Sequence, residues 1–388
     1  MRLSLLAALL LLLAIAGESI RAAANPLTFN VTRVGHTSTY RASSPGETFT
    51  GSLKSVVERA TRSLHGDGGG RVFFAAGRFD LGSASFEIAD VTGIVFAGRG
   101  IDVTIIRNWT GAAADTEVFD MSRSDRITVS GMTISAGGPR RSTSDAIDFD
   151  GGDDSVVRRV KIIAARGRGI VFDGKDAPSA TGGTADRNLV RDCVITGVRG
   201  DGIQLLASNN NRVENCRIFA VGGSGINVNK ASSSADQRNK SSNRNRIIGN
   251  TISNAGAHGI RIHSGNRNLI SRNRVLNSSD DGPGRDGINL SSSNSVVCND
   301  NIVRFNTATD NQSPKTQRYG LNIASPECHR TVVRDNNFAG NLVGAIRDLG
   351  SNTTVRARAA ESSAWAGGRP SLPSREAPRR SWRPTATM

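Results

Sequence analysis

GDGIQLLASNN, residues 200–210, is followed by two near copies, GSGINVNKASS at 223–233 and AHGIRIHSGNR at 257–267. Each runs small residue, Gly, aliphatic, polar, aliphatic. Alternation of this kind turns the aliphatics toward a core and the polar residue between them outward, as on a β-strand. Taking the first aliphatic as a marker extends the series to Ile147, Ile170, Ile203, Ile226, Ile260, Ile288, Leu321 and Ile346, with gaps of 23, 33, 23, 34, 28, 33 and 25 residues. The shortest gap is one minimal unit. The longer ones contain polar insertions, GKDAPSATGGTADR from Gly174 and ASSSADQRNKSSN from Ala231, which read as loops added to a constant coil.

A second phrase recurs in the same units: NLVRDCVI from Asn188, NRVENCRI from Asn211, NRIIGNTI from Asn245 and NLISRNRV from Asn268. Each is a short strand opened by Asn. Units of two or three short strands cannot bury a face alone, so they must stack and pair in parallel register. Helical repeats of similar period need 3.6-residue spacing, which is absent. Aromatic content of only 5%, with abundant Gly, Asn and Ser, also suits a solenoid better than a compact globule.

On these repeats the sequence resembles the right-handed parallel β-helix proteins of the pectate-lyase-like superfamily, over roughly Gly51 to Asn352. The resemblance implies an all-β solenoid closed by a short N-terminal capping helix. GSLKSVVERATRSL from Gly51 fits that cap, placing Leu53, Val56, Val57, Ala60 and Leu64 on one helical face. GGGRVFFAAGRFDL from Gly68 is similar to the glycine-rich strand and turn that follow it, with Ala75-Ala76-Gly77 where a proline is usual and Phe79 in a tyrosine position.

The ends read differently. Residues 1–24 carry Arg2, an apolar run from Leu5 to Ala16 and Ala22-Ala23-Ala24, the pattern of a cleaved secretory signal, so a secreted or periplasmic protein without membrane insertion is expected. Residues 25–50 form an N-terminal extension, 51–355 the β-helix domain, and 356–388 a disordered basic tail rich in Arg, Pro, Ser and Ala. Of the net charge of +15 the tail holds +5 and the signal +1, leaving +9 on the body. In an exported protein that excess points to an acidic polysaccharide rather than nucleic acid. A monomer is expected.

Stacked coils lie about 4.8 Å apart, so equivalent residues form columns. The column one residue after the marker is Asp148, Val171, Gln204, Asn227, Arg261, Asn289, Asn322; two positions further come Asp150, Asp173, Leu206, Asn229, His263, Ser291, Ala324. Two positions before the marker stand Asp145, Arg168, Asp201, Ser224, His258, Asp286 and Tyr319, in a corner where alternation can break. The middle of this map concentrates hydrogen-bonding groups beyond what packing requires, although a merely solvated face would also be polar. Lys230, His258, Arg261 and His263 are the candidate catalytic residues, and Asp201, Gln204, Asn227, Asn229, Asp286 and Asn289 the candidate substrate-binding residues.

β-Elimination from a uronate needs a cation for the carboxylate, a base for the C5 proton and an acid for the leaving oxygen, which Arg261, Lys230 and one of the two histidines supply. C5 epimerisation shares the first proton abstraction, although the Asp-Pro-His-Asp signature of alginate epimerases is missing. Hydrolysis of the polygalacturonase type is a further alternative, but Ser144-Asp145-Ala146-Ile147 matches its first motif only in part and Gly167-Arg168 breaks the second. A noncatalytic polysaccharide-binding or surface protein is the rival class. No metal centre or certain cofactor is expected; the acidic run Asp148, Asp150, Asp153, Asp154 would suit calcium. The four cysteines fall into two equivalent pairs, with a disulfide expected between Cys298 and Cys328 and the state of Cys193 with Cys216 left open.

Overall fold

The structure is a computed structural model that describes residues 26–108, 116–137, 144–174, 184–230, 241–293 and 296–356. The proposed signal, most of the two insertions and the basic tail lie outside the described residues. A single α-helix among them, α1 (Leu53–Gly66), opens on Ser52, whose hydroxyl accepts the Ser55 N–H. Its buried face comprises Leu53, Val56, Val57, Ala60, Thr61 and Leu64, the expected stripe with one threonine added. Ahead of it, residues 26–51 carry the strands Thr28–Arg33, Tyr40–Ser44 and Glu47–Gly51; the first of these pairs in parallel with Gly70–Phe74, so this segment begins the solenoid wall.

The rest is a parallel β-helix. One ten-stranded sheet stacks Phe86–Ala89, Phe119–Ser122, Ile147–Asp150, Ile170–Asp173, Ile203–Leu206, Ile226–Asn229, Ile260–His263, Ile288–Ser291, Tyr319–Ile323 and Gly344–Asp348. A second, 21-stranded sheet takes two short strands from most coils. All eight markers pair in one column, and all but Ile346 have no exposed surface. Phe86 and Phe119 continue that column toward α1.

Burying Asn corners requires that every polar atom find a partner. The backbone N–H groups of Asn188, Asn211, Asn245 and Asn268 are each accepted by the Oδ1 of the next asparagine in a ladder that ends at Asn301, at 2.8–2.9 Å, and in this series only the Nδ2 of Asn211 is buried without a partner. A second ladder runs from Cys216 through Asn250, Asn273, Asn306 and Asn336 in the same manner. Beside them Arg187, Arg244, Arg267 and Arg330 hold left-handed φ of 54–59°, a strain of about 1 kcal/mol each that the repeated ladder offsets.

The disulfide expectation is corrected here. All four cysteines are buried thiols. Cys193 and Cys216 lie at the head of the second ladder, their S–H groups directed at the carbonyls of Arg191 and Glu214. Cys298 instead accepts the Asn301 amide, so the solenoid interior satisfies the sulfur without a cross-link.

Candidate functional site

The polar columns emerge on the outer face of the ten-stranded sheet in the expected register. Gln204, Asn227, Arg261, Asn289 and Asn322 are successive partners, and Asn229, His263 and Ser291 form the column beside them. In the corner column, the alternation expected to be uncertain turns inward: Asp145, His258 and Asp286 are buried, Asp286 completely. Small residues at Gly202, Gly225 and Gly259 allow this, because a Cβ on Gly225 would stand 2.7 Å from the Gly259 carbonyl of the next coil.

The buried acids work as struts between coils. Asp286 accepts from Asn289 and Asn322 at 2.9 Å each and from both Nε and Nη2 of Arg318 at 3.1 and 3.2 Å. Asp201 accepts the Ser224 N–H at 2.6 Å and the Asn227 amide at 2.8 Å, and burial still pushes its carboxyl above the usual range. Asp201 with Gln204 and Asn227, and Asp286 with Asn289 and Asn322, therefore form two hydrogen-bonded groups, on either side of the partly covered Asn229, Arg261 and His263.

His258 accepts the Asp286 N–H on Nδ1 at 3.1 Å, which fixes an unprotonated Nδ1 and leaves the ring proton on Nε2. Burial drives its pKa to about 4, with Arg261 adding to the effect and Asp286 opposing it. His263 meets Ser291 Oγ through Nδ1 and Ser293 Oγ through Nε2, each at 2.9 Å. Its pKa is also held near 4, by burial first and then by the charges of Arg261 and Lys230. Arg261 stands between the two imidazoles; burial lowers its own pKa, and its buried Nε has no hydrogen-bond partner. Lys230 is nearly covered, next to the undescribed residues 231–240. At neutral pH the cluster therefore holds two cations and two neutral imidazoles.

The acidic run that would have suited calcium does not gather. Asp150 stacks on Asp173, whereas Asp153 and Asp154 turn away to bind Arg187 at 2.9 and 2.8 Å. A different trio, Glu117, Asp145 and Asp148, brings carboxylate oxygens within 4.8 Å of one another. The Arg168 guanidinium already engages Asp145 through Nη2 at 2.6 Å and Nε at 3.0 Å, so the trio has a cation of its own and does not fit a calcium ion. Burial first, and then the neighbouring Asp150 and Asp145, push the Asp148 carboxyl well above the usual carboxylate range.

Residues 84–241 and 235–359 match the family model of the right handed beta helix region. The chain belongs to that right-handed β-helix family. No curated protein matches it in sequence. Among solved structures, it is similar to an alginate lyase from Paenibacillus, at 13% identity and a TM-score of 0.55 over 75% of this chain and 97% of that one. A mannuronan C-5 epimerase A-module of Azotobacter vinelandii aligns at 13% identity and a TM-score of 0.51, over 79% and 95%. An exopolygalacturonase from Thermotoga maritima aligns at 12% and 0.52, over 78% and 87%. At such identities the likeness establishes the β-helix, and the chemistry rests on this chain's own residues.

Three contributors went unread in the sequence: Arg318, Ser293 and Glu117. None occupies a tracked column. Arg318 immediately precedes Tyr319 in a coil of a different length from its neighbour, so spacing alone gave it no partner.

Proposed function

We propose that this β-helix protein binds an acidic polysaccharide along the ten-stranded sheet and acts on its uronate units by β-elimination or C5 epimerisation. The observation that carries this reading is Arg261, a partly buried guanidinium with an unpartnered Nε between two neutral imidazoles. A sugar carboxylate placed on Arg261 acidifies the adjacent C5 proton and supplies the missing acceptor. It also neutralises the charge that depresses His263, so substrate binding raises the basicity of that ring. His263 is the base: a neutral imidazole has one unprotonated ring nitrogen, which takes the C5 proton once the serine hydroxyl that it holds, of Ser291 or Ser293, turns away. His258, whose Nδ1 is occupied by the Asp286 N–H, offers only its Nε2 proton and orients the substrate.

In elimination, the C5–H pair forms the C4–C5 double bond as the C4–O bond breaks, and Lys230 donates a proton to the leaving oxygen. In epimerisation the proton returns to the opposite face of C5. Gln204, Asn227, Asn229 and Asn289 line the path as binding groups, with Asp201 and Asp286 holding them in place. The names of the neighbouring structures fit an acidic polysaccharide, and those of the lyase and the epimerase fit the two reactions, whereas the exopolygalacturonase is a hydrolase.

A second reading, glycoside hydrolysis, draws on Asp148: a carboxyl whose pKa is raised by burial and by the neighbouring Asp150 is suited to acid catalysis. One assay separates these outcomes. The full chain is incubated with alginate and with polygalacturonate while ultraviolet absorbance of unsaturated uronate, proton NMR of the C5 configuration and reducing ends are followed together. Unsaturated product or inverted C5, lost in Arg261→Ala, supports the proposal. Reducing ends without unsaturation favour Asp148, and retention of either polymer without any product would reduce the site to a binding face.

A further inference from the structure

The opposite sheet carries a second concentration of cationic groups. A cavity of about 480 Å³ opens there, toward the α1 end, lined by Arg71, Arg99, Arg158 and Arg159 and by no carboxylate. Its construction follows from the register. Arg71, Val95 and Thr128 form one outward column, and Phe73, Ala97, Ser130 and Arg158 the next. Ala97 and Ser130 are small and almost covered, so they form a floor between the bulk of Arg71 and Phe73 on one coil and Arg158 three coils on. Gly98 keeps the rim low, because a Cβ there would stand 2.5 Å from the Gly131 carbonyl.

The charges in this trench are not consumed by the protein. None of the four arginines forms an ion pair among the described residues, and the Nε atoms of both Arg71 and Arg158 are buried without a partner. Arg71 is held in place by stacking its guanidinium 4.4 Å from the Phe73 ring centroid. Asp102, next to the lining residue Ile101, is bound instead by Lys161 at 2.9 Å and stays out of the account. Unpaired, partly desolvated guanidiniums around a small-residue floor favour a planar oxyanion that accepts two N–H groups, and the volume exceeds what a single inorganic ion fills.

We propose that this trench is a second carbohydrate site, which holds a carboxylate- or sulfate-bearing sugar unit and anchors an acidic chain on the face away from the proposed catalytic groove. It shares the ligand class of the proposed function but none of its residues.

Hydrogen exchange of the full chain tests it, with three probes: a galacturonate oligosaccharide, a sulfated glucan oligosaccharide and neutral maltotetraose. Either charged probe should protect residues 94–101 and 128–132, and the more protective one identifies the anion. Maltotetraose should protect neither segment. Arg71→Ala/Arg158→Ala should weaken that protection at least tenfold in ligand concentration. Ala97→Trp, which fills the floor and leaves every charge, should abolish it, with thermal melts confirming both folds. Protection that survives both variants, that never appears, or that falls equally in an Arg217→Ala/Arg246→Ala control on the same sheet would overturn the site. Protection at residues 258–263 is read in the same experiment, so failure of the catalytic groove is seen separately.

Discussion

Nη2 of Arg168 lies 2.6 Å from Oδ2 of Asp145 on the preceding coil, and the same guanidinium reaches Gln204 on the following one. Three coils are thereby tied at the position where a hydrolase of this architecture was expected to need a second carboxylate. Asp145 is 2% exposed, so removing its partner leaves a buried charge. Arg168→Ala should cost about 2 kcal/mol, below the usual penalty for breaking a buried pair because Arg168 itself is a third exposed. Adding Asp145→Asn should restore much of that, as measured by urea unfolding; an additive loss would contradict the pairing.

The asparagine ladder makes a sharper stability claim. Asn273 accepts the Asn250 N–H on Oδ1 and donates Nδ2 to the Ile247 carbonyl and to Asn306 Oδ1, all at 2.9–3.0 Å. Asn273→Leu removes these three bonds and a fourth that Oδ1 accepts from Asn250 Nδ2 at 3.0 Å, and strands a buried N–H and a buried carbonyl. The expected loss is about 3 kcal/mol, read as a lower denaturant midpoint. A change below 1 kcal/mol would mean that water replaces the ladder.

Stability should also depend on pH in a signed way. An unfolded imidazole titrates near 6.5, whereas folded His258 and His263 titrate near 4. Between those values the unfolded chain binds more protons, so stability is complete above pH 6.5 and falls as the pH drops toward 4. His258 should contribute about 2 kcal/mol to this loss and the more exposed His263 less. Asp148 acts in the opposite sense, since its folded carboxyl is raised and stability is lost as the pH climbs above the ordinary carboxylate range. Unfolding in an Asp148→Asn background isolates the histidines, and there His258→Gln should flatten the slope from pH 6.5 to 4.5. An unchanged slope would place the titrating groups elsewhere.

The limits of the sequence reading have physical causes in particular residues. Ile226 and Ile260 reveal the solenoid because a stacked interior repeats its demand for an aliphatic at every coil. Phe86 and Phe119 fill the same column unread, since an aromatic satisfies the core without the small-Gly phrase that marked the later coils. Arg261 and His263 were placed correctly in the outward columns by strand alternation alone. Asp286 was not recognisable as a strut: an acid at a glycine-flanked corner reads as surface, and its burial depends on Arg318 from the next coil. The cysteines misled because export suggests oxidation, whereas their places in the coil are those of hydrogen-bonded interior residues.

That last point yields a substitution with a definite sign. Cys216 occupies the ladder position held by Asn250, Asn273, Asn306 and Asn336 in the following coils, and its own N–H is already received by Asn250 Oδ1. In each of those coils the amide Nδ2 donates to a carbonyl of the preceding coil: Val213 for Asn250, Ile247 for Asn273, Ile270 for Asn306 and Val303 for Asn336. Cys216→Asn would extend the ladder by one rung, donating to Val190 and accepting from the Cys193 N–H. Two buried hydrogen bonds at about 1 kcal/mol each, reduced by the cost of desolvating the amide, predict a gain of about 1 kcal/mol. Thermal unfolding should move upward in the variant and be indifferent to reductant in the parent, where four thiols should react with a thiol reagent after denaturation without reduction. A lower melting temperature in Cys216→Asn would show that the sulfur is chosen for its fit, and fewer than four reactive thiols would restore the cross-link.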